Sequence, residues 1–237
     1  MSLPPIQAEL WELYCASEKD RIRAVSTACL NRFLESLETL PMDAWREWAY
    51  DVCRRRVDCG DSFPVRMPLF EKALAPALLF GLQEKHPGCA RWIAGLGMFL
   101  SHRPSIAKQL ETYGRSGADF LELALQHDPS DLLAKRRLIY QLESYLEYAL
   151  HELPSGVLGG NGGATPEECE EYLTDLSRLR GLLPLEGVND NFSELIQQGE
   201  FHFRRYQDYL AQRDHFTDYP HYLASQQEKP GFKGPVP

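Results

Sequence analysis

The sequence predicts an all-α fold of about ten helices, stacked antiparallel as a bundle or a helical-repeat-like array. Two observations carry this. Apolar residues recur three or four positions apart through most of the 237 residues, the spacing that paints one face of a helix. No run alternates with period two between hairpin signals, so a sheet is not expected.

The elements follow in order. Segment 17–40 opens with Ser17 and Asp20 in capping-box spacing, with Asp in place of the usual Glu or Gln. Ile22, Val25, Cys29, Phe33, Leu37 and Leu40 then form one apolar stripe, which Pro41 ends. Asp43 is placed to cap a further helix carrying Trp45, Trp48, Val52 and Arg56 on one side. The apolar segment 68–85 contains Pro76, which is expected to kink or break it. Pro87, Pro104 and Pro129 each suit a first helical position, because proline has no N–H to leave unpaired. The strongest periodicity spans 129–152, with Leu132, Ile139, Leu142, Leu146 and Ala149 in step and Leu153 beyond. Five glycines, Gly156, Gly159, Gly160, Gly162 and Gly163, make 155–165 a non-helical linker. Thr165 with Pro166 restarts a helix to about Arg180, and Asn191 begins another that reaches about Arg213. One domain over 1–227 is expected, followed by a mobile tail at 228–237 with no periodicity.

Within 117–138 the stretch GADFLELALQHDPSDLLAKRRL carries Asp128, Pro129 and Ala134 where one helix gives way to the next. It resembles the junction between tetratricopeptide repeats, over about 22 residues and without a regular 34-residue period. Pro87 with Ala90 and Trp92 is a vaguer echo. The resemblance implies stacked antiparallel helices.

Charge and composition narrow the function classes. The chain carries 25 Lys+Arg against 34 Asp+Glu, which argues against nucleic acid or anionic membrane as the main partner. The longest near-apolar stretch, 73–82, is far short of the roughly 20 residues of a membrane span. The N-terminal residues show neither a positive start nor an apolar segment of signal type. Six cysteines are too few for a secreted disulfide scaffold, so a cytoplasmic protein with free thiols is expected.

Several motifs invite chemistry and fall short of it. After Gly163 come Ala164, Thr165, Pro166, Glu167 and Glu168. A phosphate-binding loop needs a lysine and free N–H groups there, not a proline and two carboxylates. Cys53, Cys59, His86 and Cys89 could be imagined around zinc, but the five residues between the first pair exceed ordinary knuckle spacing. The Cys-x5-Arg phosphatase loop fails by one position, since Arg66 follows Cys59 one residue late. Cys15 and Cys29 fall at core-like positions, as thiols used as small hydrophobes do. Glu143, Glu147 and His151, four apart on one helix, offer a carboxylate–imidazole row for a metal or acid–base work. Di-iron bundles use Glu-x-x-His instead, and an exposed polar face, which Lys135 and Arg136 upstream support, explains the row better. The aromatic residues Phe201, Phe203, Tyr206, Tyr209, Phe216, Tyr219 and Tyr222, interleaved with Arg204 and Arg205, could stack on single-stranded nucleic acid. Their helical spacing fits core packing better. The Arg54–Arg56 run reads as a solvated helix end.

Charge placement is the strongest signal. Residues 161–200 hold nine acidic and two basic side chains, most of the net −9 of the chain. Glu167, Glu171 and Asp175 share one helix face and Glu168 lies beside them, an arrangement suited to docking a basic protein. We therefore expect a non-catalytic helical interaction protein without cofactor, in its concrete form an immunity protein or inhibitor that neutralises a basic toxin or nuclease. The alternatives are a helical-bundle enzyme built around Glu143, Glu147 and His151, or a repeat adaptor that grips a peptide near Lys135 and Arg136.

Overall fold

A computed structural model describes residues 3–62, 64–160, 162–183 and 192–227. Among these the fold is all-α, with one two-stranded hairpin of two residues per strand. The chain clusters into two compact units, residues 1–134 and 135–237, within the span expected as one domain. The tail expected at 228–237 lies outside the described residues.

In the first unit, α1 (Pro5–Lys19) and α2 (Arg23–Glu38) pack side by side across a short turn. That turn falls inside the segment read from the sequence as one helix beginning at Ser17. Ser17 is instead buried within α1, and its hydroxyl donates to the Tyr14 carbonyl at 2.7 Å. The chain reverses through Arg21, whose φ of 56° is left-handed, a conformation that composition did not announce. Ile22 and Val25, expected in the core stripe, are exposed, whereas Leu30, Phe33, Leu34 and Leu37 are buried. Trp11 and Trp48 lie edge-on at 5.0 Å, and Phe33 lies edge-on to Trp48 at 5.1 Å. These rings join α1 and α2 to α3 (Arg46–Val57).

The helix around Pro76 does not break. α4 (Met67–Leu69) runs into a π-turn at Phe70–Leu74 and on into α5 (Ala75–Gln83). The Ala75 N–H bonds back five residues to Phe70. A proline in an ordinary helix clashes with the carbonyl four residues earlier, and the wider turn just before Pro76 relieves that clash. Leu69, Phe70, Ala73, Leu74, Leu78 and Leu82 are all buried along this run. α6 (Cys89–Gly95) packs on α3, α5 and the later helix at residues 117–127, and leads into α7 (Gly97–Leu100) and α8 (Pro104–Leu110), which starts at its proline as expected. Gly88, not Pro87, precedes α6, with φ 88°.

Helix α9 (Gly117–His127) is set by a capping box in which the Ser116 hydroxyl accepts from the Asp119 N–H and the Asp119 carboxylate from the Ser116 N–H. The next helix, α10 (Leu132–Leu150), begins three residues after Pro129. Asp128 accepts from the Ser130 N–H and hydroxyl at 2.9 and 2.6 Å, and Asp131 accepts from the Ala134 N–H at 2.9 Å. Two local caps thus displace the proline from the helix start.

A buried ionic trio ties the first unit together. Arg91 on α6 donates through two nitrogens to Asp58 at 2.9 and 2.7 Å, and through a third to Asp131. The Trp92 indole N–H adds a bond of 2.7 Å to Asp58. The end of α3, the body of α6 and the start of α10 are therefore joined at one guanidinium.

In the second unit the glycine segment is more than a connection. β1 (Leu158–Gly159) and β2 (Gly162–Gly163) pair antiparallel, and Val157 and Ala164 on either side are buried. The Tyr172 hydroxyl on α11 (Pro166–Leu182) donates to the Leu158 carbonyl at 2.9 Å. α11 packs on α12 (Phe192–Leu210), and α12 on α13 (Tyr219–Gln227). Gly199 lets α11 and α12 approach closely, since a Cβ there would lie 2.8 Å from Leu176 Cδ1. Tyr172, Phe203, Tyr206, Tyr209, Tyr219 and Tyr222 are buried with ring centroids mostly 5–6 Å apart, so most of the aromatic run is core, while Phe201 and Phe216 are half-buried.

Candidate functional site

Helix α11 carries the acidic face, and its local structure decides which of the acids are free. Thr165 and Glu168 form a capping box: the Glu168 carboxylate accepts from the Thr165 N–H at 2.8 Å, and the Thr165 hydroxyl accepts from the Glu168 N–H at 3.2 Å. Glu168 is half-buried against the glycine hairpin, so its charge serves the helix start. Cys169, Tyr172, Leu176 and Leu179 form the buried stripe opposite.

Glu167 and Glu171 are exposed, one turn apart. Asp175, the third member of the row, is only 14% exposed and pairs with Arg178 at 3.0 Å. Arg178 lies seven residues beyond Glu171, on the same face, so the row closes on a cation. Glu170 accepts from Gln207 at 3.3 Å, and Glu200 on α12 pairs with Arg180 at 2.8 Å. Of the four residues read from the sequence as a docking surface, two point freely to solvent. Glu186 and Asp190, which add to the charge of this region, lie outside the described residues.

The carboxylate–imidazole row on α10 does not assemble a centre. Glu147 and His151 are exposed and Glu143 is half-buried. Burial and the neighbouring Glu147 charge raise the Glu143 carboxyl above its usual range. Among the described residues no three His, Cys, Asp or Glu side chains are placed to hold a metal ion.

Burial holds the thiols of Cys15, Cys53, Cys89 and Cys169 above their ordinary range. Cys53, Cys89 and Cys169 are buried, Cys59 is exposed, and Cys15 and Cys29 lie between, so the core thiols are not the pair expected from the sequence. Cys89 Sγ lies 3.6 Å from His86 Nδ1, a pairing that elsewhere activates a nucleophile. Burial pushes its thiol up to about 12, which leaves it protonated and unreactive at neutral pH.

A cleft of about 880 Å³ opens in the first unit between Cys15, Glu18, Lys19, Arg21, Arg55 and Asp61. Its two acids are paired, Asp61 with Arg55 at 2.8 Å and Glu18 with Arg66 at 2.6 Å. Burial pushes the Cys15 thiol up to about 11. Among its described residues the cleft thus sets cations beside paired acids and a thiol held protonated by burial. Arg54 pairs with Asp51 at 2.6 Å, so the basic run at the end of α3 is partly neutralised.

Among the described residues no helix is long and apolar enough to cross a membrane. No family model matches the chain, and neither a curated protein nor a solved structure matches it.

Proposed function

We propose that the protein is a non-catalytic helical interaction module that binds a basic protein through the free acidic half of α11, Glu167 and Glu171. The observation that carries this reading is the exposure of these two carboxylates, one turn apart and without an ion pair among the described residues, in the most acidic stretch of the chain. Keeping like charges at that spacing costs a helix about 0.2–0.5 kcal/mol per pair, which a docking role explains. Exposed carboxylates steer a cationic partner over a distance of about 8 Å at physiological salt, so the contribution falls on the association rate. An enzyme that holds a polyanion, such as a nuclease, presents a surface of the matching sign. Its inhibitor or immunity protein is the concrete form of the proposal.

The test is affinity capture at low and moderate salt, followed by association kinetics with the partner recovered. Glu167→Gln with Glu171→Gln is expected to slow association several-fold and flatten its salt dependence. Asp175→Asn, which alters a paired residue, is expected to change it less. Unchanged kinetics and salt dependence in the double variant would remove this surface from consideration.

A further inference from the structure

Helix α10 leaves an aromatic face uncovered. Leu138, Ile139, Leu142, Leu146 and Ala149 point into the core, whereas Tyr140 is 70% and Tyr148 56% exposed. At 100° per residue, Arg136, Tyr140, Ser144, Glu147 and Tyr148 fall within a third of the helix circumference, opposite the buried stripe. Tyr145, at the edge of this face, is held edge-on against Tyr172 at 5.3 Å. Large amphipathic rings exposed two turns apart are the anchors that protein interfaces favour.

The charges on this helix say which partner fits. Its beginning is basic, with Lys135, Arg136 and Arg137, and its later turns are acidic, with Glu143, Glu147 and Glu152 just past the end. On the exposed face this polarity is carried by Arg136 and Glu147, and a face that is positive at one end and negative at the other is complementary to itself when reversed. We propose that α10 packs antiparallel against α10 of a second copy of this chain, about a two-fold axis near residue 142.

That axis sets Tyr140 of each copy across from Ser144 of the other, a large residue against a small one. It sets Arg136 against Glu147 and Tyr148, where a guanidinium can both pair with the carboxylate and lie over the ring. The two-fold repeats the contact, so the ion pairs sit at either end of a patch about 16 Å long. A parallel arrangement would oppose Arg136 to Arg136 and Glu147 to Glu147, which is why the direction is fixed. The proposal is independent of the α11 surface.

The test is sedimentation equilibrium on the full chain over a concentration series. A species of twice the 27.1 kDa chain mass is expected. Arg136→Glu alone, and Glu147→Arg alone, should each weaken the dimer at least tenfold. The double exchange should restore it, because the pairs are rebuilt with reversed sign. Both side chains of the exchanged pair are exposed, and circular dichroism confirms that each variant keeps its helix content. A monomer at every concentration overturns the proposal. So does a dimer indifferent to both single exchanges, which places self-association on another face, and so does a double exchange that fails to rescue. A wild-type monomer whose Tyr140 and Tyr148 become protected only with a different protein assigns the face to that protein instead.

Discussion

Asp58, Arg91 and Asp131 in the first unit and Glu167, Glu171 and Asp175 in the second are trios drawn from the same chemistry, used in opposite ways. The first trio is buried: Arg91 and its two carboxylates are each about nine-tenths covered, and every charge has a partner. The second stands on a helix surface, where two carboxylates face water and the third pairs with Arg178. In the interior a charge must be matched, because water no longer compensates it. On the surface an unmatched charge costs little and remains available to something outside. The difference separates charges that hold the fold from charges that can meet a partner.

The sharpest way to break this comparison is Arg91→Met. It leaves two buried carboxylates facing each other without their shared cation, while the Trp92 N–H still donates to Asp58 and the Ala134 N–H to Asp131. A loss of about 3–5 kcal/mol in urea-unfolding stability is expected, larger than for any surface charge in the chain. A loss below about 1 kcal/mol would mean that water reaches the trio and that the two regions do not differ as described. Next in size is Thr165→Ala, which removes the hydroxyl that caps α11. About 1 kcal/mol should be lost in the same measurement, showing that Glu168 and Thr165 belong to the fold. Smallest is Glu171→Gln, which relieves repulsion from Glu167. Stability should rise by about 0.2–0.5 kcal/mol at low salt, and the gain should vanish at high salt. A destabilising effect there would reveal an internal role for Glu171.

How legible these features were depends on how local they are. Thr165 as a helix start could be read directly, because a cap is a property of four consecutive residues. The same four residues also carried the news that Glu168 is engaged at the cap, and counting charges alone passed over it. Ser17 presents a similar pattern and misleads, since the reversal depends on Arg21 adopting a left-handed backbone that favours glycine but does not demand it. The Arg91 trio left no sequence signal, with partners 33 and 40 residues away. The tyrosines of α10 were visible as residues off the apolar stripe. Only the structure shows that Tyr140 and Tyr148 stay mostly exposed among the described residues.

The π-turn at Phe70–Leu74 has a consequence for the length of the chain. It is equivalent to one residue inserted into a continuous helix. Removing one residue there would return the run to ordinary helical winding, and because the wider turn already absorbs the extra residue, the stretches before and after it would keep nearly the same relative phase. Leu69 and Phe70 could then stay buried, but Pro76 would meet the carbonyl it now avoids. The extra residue in this turn therefore serves the proline, and a one-residue deletion is expected to do its damage chiefly through Pro76.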